Sequence, residues 1–295
     1  IMTEQRNPLG LKKIHHVEFY VGNAKQAEFF YRKAFGFSRA GYMGLETGNR
    51  EVTSYLLKQN NVNFILSTPL SPDHPGSEHI KQHGDGVHDI AFQVEDVDHA
   101  FNEAVKRGAR PVEAPHDHGD ENGVVRHASI ATYGDTIHSF LSYSRGGRQP
   151  ANGGGSDRMA AAPAEEKYIY SGVFLPGFVE QQVEGESTGI MMVDHIVGNV
   201  ELGKMNEWCD FYRDVMGFHR YITFDDQDIS TEYSALMSIV MSDGGHNIKF
   251  PINEPAESKK GVSQIQEYID YYRSAGAQHI ALLCRDVIHT VGMLQ

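Results

Sequence analysis

Two histidines, His195 and His279, each lie inside a short apolar run and are the residues of this sequence best suited to do chemistry. The runs, residues 194–200 and 276–283, have the pattern of buried strands. A lone histidine in such a strand is usually a hydrogen-bonded core residue. Two imidazoles that share one face with a carboxylate are instead the ligand set of non-haem Fe(II) oxygenases. The chemistry therefore depends on whether the fold brings the two histidines together.

The same apolar run occurs four times in the chain. The copies are residues 15–21, 88–94, 194–200 and 276–283. When they are aligned on their apolar pattern, four residues fall at the equivalent position: His16, Asp89, His195 and His279. Only the second half of the chain has a histidine at both of its positions. We therefore expect one metal site in the second half and a scaffold in the first.

The segments between the runs recur as well, and they indicate which elements position the histidines. Segments of helical period follow the first and third runs, and Phe30 and Gly36 recur 181 residues later. In the second and fourth copies, Gly86 recurs at an offset of 190. Repeats of this length predict a β-α-β unit duplicated twice, with the first strands of paired units facing each other. Turn residues predict a loop over residues 71–77.

Seven stretches spread over the chain resemble the 4-hydroxyphenylpyruvate dioxygenases, a family of the vicinal-oxygen-chelate superfamily. The stretches are residues 21–27, 131–134, 174–178, 194–208, 231–238, 251–256 and 276–282. The resemblance implies an α+β fold in which tandem βαβββ modules form two half-open barrel domains, with the last module cut short. The implied parts are an N-terminal scaffold domain (1–144), a Gly-rich linker and connecting segment (145–189), and an incomplete C-terminal catalytic domain (190–295).

The resemblance also implies a site and a reaction. Fe(II) would be bound by His195, by His279 and by a glutamate expected beyond residue 295. Gln278 would act with the histidines in catalysis, and the substrate would be bound by four side chains: Ser238, Asn253, Gln264 and Gln278. The implied reaction converts 4-hydroxyphenylpyruvate and O2 to homogentisate and CO2 in tyrosine catabolism. Without the third ligand, the 295-residue chain is expected to bind iron weakly and not to turn over.

Two other functions stay open on the sequence. 4-Hydroxymandelate synthase shares the fold, the iron and the substrate but hydroxylates the benzylic carbon. A non-catalytic member of the superfamily would bind a small molecule in the same barrel. Two further histidine groups are not interpreted as metal sites. Residues 15–16 are expected to pack in the core, because Asp89 holds the partner position, and residues 116–118 to be solvated at a hairpin tip, because Asn122-Gly123 is a hairpin signal.

Composition limits the partners. The chain has 26 Lys+Arg against 39 Asp+Glu and a net charge of −13, which argues against nucleic acid or an anionic membrane as partner. No stretch approaches the roughly 18 apolar residues of a membrane span, and residues 1–6 lack the apolar core of a secretory signal. Cys209 and Cys284 are predicted to be reduced core thiols of a cytoplasmic protein. The resemblance implies a homo-oligomer, either a dimer or a tetramer.

Overall fold

The structure of the protein is a computed structural model, which describes residues 7–143, 170–224, 236–256 and 263–295. Two parts of the sequence interpretation lie outside the described residues: the Gly-rich stretch of the linker up to residue 169, and the matching residues 231–235. Within the described residues the chain forms two mixed β-sheets, six α-helices and one short 3-10 helix, Leu45–Thr47. The predicted α+β class is confirmed.

The first sheet contains nine strands over the described residues. They are β1 (Leu11–Tyr20), β2 (Ser38–Met43), β3 (Val52–Gln59), β4 (Val62–Pro69), β5 (Gly86–Val94), β6 (Pro111–Asp120), β7 (Gly123–Ala131), β8 (Ile137–Ser142) and β9 (Val179–Val183). Three helices accompany them: α1 (Ala24–Phe35), α2 (Pro75–His83) and α3 (Val97–Lys106). The strand order across the sheet is β6-β7-β8-β5-β1-β4-β3-β2-β9.

The second sheet contains five strands over the described residues. They are β10 (Ile190–Asn199), β11 (His219–Phe224), β12 (Leu236–Ser242), β13 (Lys249–Pro255) and β14 (Gly276–Cys284). Its helices are α4 (Met205–Asp214), α5 (Gln264–Tyr272) and α6 (Val287–Leu294). The strand order is β11-β12-β13-β10-β14.

The two sheets repeat one arrangement, as the four apolar runs predicted. The order β2-β3-β4-β1-β5 of the first sheet corresponds strand by strand to the order of the second. In both sheets the first strands of consecutive modules, β1 with β5 and β10 with β14, are antiparallel neighbours. Over the described residues β14 is an edge strand, whereas β5 has β8 on its other side.

The glycine of the Gly-Phe pair that follows α1 and α4 is required by the backbone conformation. α1 begins after Asn23, whose side chain accepts a hydrogen bond from the N–H of Gln26, and ends at Gly36 with φ of 72°. Gly217, three residues after the end of α4, has a similar left-handed conformation, with φ of 75°. A Cβ on Gly36 would lie 1.9 Å from the carbonyl oxygen of Glu186. Only glycine meets both the left-handed conformation and this close approach.

One hydrophobic core runs through both halves of the molecule. The ring of Phe92 on β5 lies edge-on to that of Phe250 on β13, with centroids 6.1 Å apart, and Phe250 stacks on Tyr212 at 5.0 Å. All three side chains are fully buried, and full burial of such a side chain stabilises by about 2–3 kcal/mol. Residues that alternate with this core on the strands of the first sheet form two smaller buried apolar clusters, one around Leu56 and Ile65 and one around Ala91 and Leu141.

Two expectations differ from the structure. Residues 71–77 are not entirely loop, because α2 begins at Pro75; proline is well tolerated at the first helical position, and His74 caps the helix by accepting from the N–H of Gly76. The described part of the connecting segment, residues 170–189, also forms part of the first sheet. Its strand β9 pairs with β2 at the edge of the first sheet, and Phe174 and Phe178 are buried there.

The predicted hairpin at Asn122-Gly123 is present, as β6 and β7, although its two turn residues are Glu121 and Asn122. Within the described ranges, no helix has the length and apolar character needed to cross a membrane.

Candidate metal centre

His195 and His279 are neighbours on adjacent strands. Their ring centroids are 5.8 Å apart, with the ring planes at 72°. His195 on β10 lies opposite Ala281, and His279 on β14 lies opposite Val197. Because side chains alternate between faces with a period of two, both imidazoles are on the same face of the sheet. The predicted proximity of the two rings is therefore observed.

A β-bulge precedes each histidine. On β10, Val193 faces Leu282 and His195 faces Ala281, so Asp194 is an additional residue on that strand. On β14 the additional residue is Gln278, immediately before His279. Bulges bend a strand locally and change the direction of a side chain. The two histidines are therefore aimed by the same local device, once from each strand.

The bulge residues also hold the rings. Nδ1 of His195 lies 2.8 Å from Oδ2 of Asp194, and Nδ1 of His279 is hydrogen-bonded to Oε1 of Gln278. A carboxylate and an amide oxygen can only accept, so both Nδ1 atoms carry the proton. Each Nε2 then presents a lone pair, and among the described residues neither Nε2 has a hydrogen-bond partner. This is the tautomer that a metal-binding histidine needs.

Charge around Asp194 supports this arrangement. Lys249 Nζ lies 2.7 Å from Oδ1 of Asp194, on the side away from His195. Burial opposes ionisation of Asp194, but the hydrogen bonds from His195 and Lys249 outweigh it, so the pKa of the carboxyl is lowered. Partial burial, and next the proximity of His195, lower the pKa of His279 from its ordinary value. An anionic Asp194 bonded to His195, and a neighbouring His279 whose lowered pKa favours the neutral ring, suit a bound cation, so the residues present fit a divalent metal.

The first half has bulges at the equivalent positions, but different residues occupy them. The additional residues there are His15 and His88, directly before His16 and Asp89. Burial lowers the pKa of His16 to about 3 and raises that of Asp89 to about 8. The carboxyl of Asp89 accepts from the N–H of Ser139 on β8. The equivalence of the four positions is confirmed, and the interpretation of His15 and His16 as packed core residues agrees with their burial.

Two of the predicted substrate residues share the face of the histidines. Ser238 on β12 lies directly opposite Asn253 on β13, and both are buried. Asn253 in turn pairs with Asn199 on β10, and its Nδ2 donates to Oδ1 of Asn199 at 3.3 Å. Asn199 is four residues from His195 along β10, so its side chain is on the same face of the sheet. At ~3.3 Å per residue the two residues are about 13 Å apart.

Sequence reasoning missed Asn199, Asp194 and Lys249. Asn199 is fully buried, and its Nδ2 has no hydrogen-bond partner among the described atoms. Its even spacing from His195 within one strand was the signal that could have identified it. The other predicted residues are placed less centrally: Gln278 binds His279, and Gln264 is exposed at the first position of α5.

A cavity of about 820 Å³ lies beside this centre. Gln278 and His279 contribute to its wall, together with aromatic residues from α1 and the first sheet such as Phe19 and Tyr31. Ile280 and Leu282 also line it, and they pack toward the core side of β14. The described residues that line it do not include His195, Ser238 or Asn253. The cavity therefore borders the two histidines, but the polar side chains of Ser238, Asn253 and Asn199 do not line it.

Comparisons with known proteins agree with this architecture. The sequence model of the Glyoxalase/Bleomycin resistance protein/Dioxygenase superfamily matches residues 13–135 and 193–294. A 4-hydroxyphenylpyruvate dioxygenase of Xenopus tropicalis is 43% identical over 288 residues, which cover 95% of this chain and 67% of the relative. The dioxygenase of the same name from Dictyostelium discoideum is 40% identical, covering 95% of this chain and 72% of the relative.

Solved structures show the same fold. A mutant of 4-hydroxymandelate synthase from Streptomyces coelicolor superposes with a TM-score of 0.77 at 23% identity, covering 97% of this chain and 74% of that one. A fusion of a xylose isomerase-like barrel with a 4-hydroxyphenylpyruvate dioxygenase has a TM-score of 0.64 at 18% identity, covering 98% and 39%. The chain belongs to the 4-hydroxyphenylpyruvate dioxygenases of the glyoxalase and dioxygenase superfamily.

Proposed function

We propose that this protein is an Fe(II)-dependent dioxygenase that converts 4-hydroxyphenylpyruvate and O2 to homogentisate and CO2 in tyrosine catabolism. One observation carries the proposal: a chain 40–43% identical to dioxygenases of that name has two adjacent histidines, each with Nδ1 bonded to the preceding side chain. Such a pair is prepared to bind a cation through both Nε2 atoms.

In this proposal His195 and His279 are two of the three protein ligands. The third is expected to be a glutamate at the outer edge of β14, the edge that corresponds to the one where β5 pairs with β8 in the first half. Iron held by these residues would supply open coordination positions for a 2-oxo acid and for O2.

Gln278 acts on the chemistry through His279. Because its Oε1 is bonded to Nδ1 of His279, it fixes the ring's tautomer and direction. Asp194 does the same for His195, and Lys249 keeps Asp194 ionised. These contacts make Asp194 and Gln278 positioning residues, with the additional role of Gln278 in substrate binding retained as part of the proposal.

Ser238 and Asn253 are proposed to orient the substrate. A hydroxyl and an amide on the face of the histidines supply donors and acceptors for an aryl keto acid. The unpartnered Nδ2 of Asn199 extends the same row. Gln264, at the exposed start of α5, completes the proposed set. By holding the ring and the keto acid in one orientation, these groups reduce the entropy that the reaction must overcome.

The wider setting follows from the same family. We place the protein in the cytoplasm, where the two free thiols found in the described chain, Cys209 and Cys284, would stay reduced. A homo-oligomer, either a dimer or a tetramer, completes the proposal.

Product analysis tests the function. Protein expressed from the complete gene, loaded with Fe(II), is given 4-hydroxyphenylpyruvate in oxygenated buffer, and the products are identified by mass spectrometry. Homogentisate with one CO2 released per O2 consumed is expected. 4-Hydroxymandelate would instead assign the synthase reaction. Substrate binding without O2 consumption would make the protein a non-catalytic member of the superfamily.

A further inference from the structure

A second group of potential metal ligands lies between the two halves, where α2 meets α5. His79 and His83 are one turn apart on α2, and Asp135 is in the turn between β7 and β8. Their ligand atoms all lie within 4.8 Å of one another. The side chains of His79 and His83 are only 3% and 1% exposed, while that of Asp135 is 43% exposed.

Both imidazoles converge on the same carboxylate oxygen. Oδ2 of Asp135 lies 2.8 Å from Nδ1 of His79 and 3.0 Å from Nε2 of His83. The other nitrogen of His83, Nδ1, is hydrogen-bonded to the backbone carbonyl of Tyr272, the last residue of α5. The ring of His83 also stacks on that of Tyr272, with centroids 4.0 Å apart. The group therefore joins α2 of the first half to α5 of the second.

The hydrogen-bond partners of His83 require a positive charge that the neutral imidazole does not carry. A backbone carbonyl only accepts, so Nδ1 of His83 carries a proton. In the neutral ring, Nε2 is then a lone pair that faces a carboxylate oxygen at 3.0 Å. Two acceptors at this distance repel unless a cation lies between or beside them. A second proton would satisfy them, but it would place an imidazolium at a position only 1% exposed.

A divalent metal ion satisfies the same contacts with both rings neutral. The two N···O separations, 2.8 and 3.0 Å, are a few tenths of an ångström shorter than the roughly 3.3–3.6 Å between ligand atoms of one tetrahedral ion at bonds of ~2.0–2.2 Å, so small side-chain shifts would accommodate the ion. Two histidines four residues apart on a helix present their rings on one face, as metal sites on helices require. The exposed side of Asp135 offers a route of entry and room for a water ligand.

We propose that His79, His83 and Asp135 form a second, structural metal site for a borderline divalent cation such as Zn²⁺, which fastens α2 to α5 through the His83–Tyr272 contact. Nitrogen and oxygen ligands in this number suit a zinc site with one open position. The site is independent of the His195–His279 centre, because it shares no ligand and no strand with it.

Zinc titration of the 295-residue chain tests the site. The parent for the test carries His195→Ala and His279→Ala, so that the first centre does not contribute, and all bound metal is first removed with a chelator. Zn²⁺ affinity is then measured by competition with a chromophoric chelator, and stoichiometry by elemental analysis. We expect one tight equivalent in this parent, and a loss of at least about 100-fold in affinity on adding His83→Gln or Asp135→Asn.

A matched control uses the other acid and histidine group of the described chain, Glu113, His116 and His127 on the β6–β7 hairpin, which is more exposed. His116→Gln with His127→Gln should leave the tight equivalent unchanged. Loss of that equivalent in the control, or its survival in His83→Gln, would overturn the proposal. Circular dichroism without metal shows whether each variant folds. Should His83→Gln unfold, Asp135→Asn decides: Zn²⁺ must raise the melting temperature of the parent and not that of this variant.

Discussion

Asp194 and Gln278 occupy equivalent positions on neighbouring strands, and each accepts a hydrogen bond from Nδ1 of the histidine that follows it. One is an anion and the other a neutral amide. Both are the additional residue of a β-bulge, so the backbone that turns each ring and the side chain that fixes its tautomer come from the same residue. The pair therefore prepares two Nε2 lone pairs on one face before any ligand arrives.

The anionic member of the pair should matter more for metal affinity. Asp194→Ala removes the acceptor of His195 and leaves Lys249 without its partner 2.7 Å away. Loss of such a supporting carboxylate typically weakens metal binding 10- to 100-fold. We expect that loss in Fe(II) affinity, measured by anaerobic titration of protein from the complete gene. Asp214→Ala, an exposed aspartate of α4, is the matched control and should bind Fe(II) as the parent does.

Removing a proposed ligand should have a larger effect than removing its support. His195→Ala or His279→Ala should abolish stoichiometric iron binding and leave the fold intact, because both rings are partly solvent-exposed and neither belongs to the core. Elemental analysis and far-ultraviolet circular dichroism check the two statements. His219→Ala on β11 provides the control. A His279→Ala protein that kept one equivalent of iron would remove the basis of the proposed function.

Substrate orientation can be tested on a single strand. Ser238→Ala should lower kcat/KM for 4-hydroxyphenylpyruvate about fivefold, since one hydrogen bond contributes on the order of 1 kcal/mol. Ser242 is on the same face of β12 as Ser238, four residues further along the strand, and it is fully buried. Its alanine variant should leave kcat/KM within about twofold. Equal losses in the two variants would assign the effect to strand packing.

The internal sequence repeats explain why so much of this site was predictable. The four aligned runs put His195 and His279 on paired strands, and the constant spacing of Gly36 and Gly217 gave the ends of two helices. Both inferences need only periodicity and identity of residues. The bulges could not be inferred, because an additional residue in one strand is defined only by the register of its partner.

Other features depend on contacts that are distant in sequence. α2 begins within a stretch of turn residues, because proline and a capping histidine suit a helix start as well as a loop. The group of His79, His83 and Asp135 is assembled by a turn some 50 residues further along the chain, and Tyr272 adds a contact from the other half. Neither spacing nor composition brings those residues together.

Buried titratable groups in the first half should give stability a maximum near pH 6.5. Burial lowers the pKa of His16 to about 3 and that of His138 to about 4. Between those values and the ordinary 6.5, the unfolded chain binds more protons, so the unfolding free energy rises with pH. Burial raises the pKa of Asp89 to about 8, so from about pH 4 to 8 the folded chain holds an additional proton and the unfolding free energy falls.

Above pH 6.5 the histidine contribution is complete and that of Asp89 remains. Urea unfolding of chelator-treated protein should show stability falling by about 1.4 kcal/mol per pH unit up to pH 8, the value for one proton. Glu18, opposite Asp89, has a raised pKa through burial and adds in the same direction. Asp89→Asn should remove most of this slope, and the exposed control Asp73→Asn should not. A slope that is the same in the parent and in Asp89→Asn would contradict the assignment.

The close approach at Gly36 should make it costlier to replace than another glycine of similar conformation. Gly36 and Gly48 have φ of 72° and 87°, so alanine at either position pays the penalty of the left-handed region, about 1 kcal/mol. A Cβ at Gly48 meets no atom within 4 Å, whereas at Gly36 it would lie 1.9 Å from the carbonyl oxygen of Glu186. We therefore expect Gly36→Ala to lower the unfolding free energy by more than about 2 kcal/mol beyond the loss in Gly48→Ala, measured by urea denaturation. Equal losses would show that the 170–189 segment yields easily and is not fixed against the end of α1.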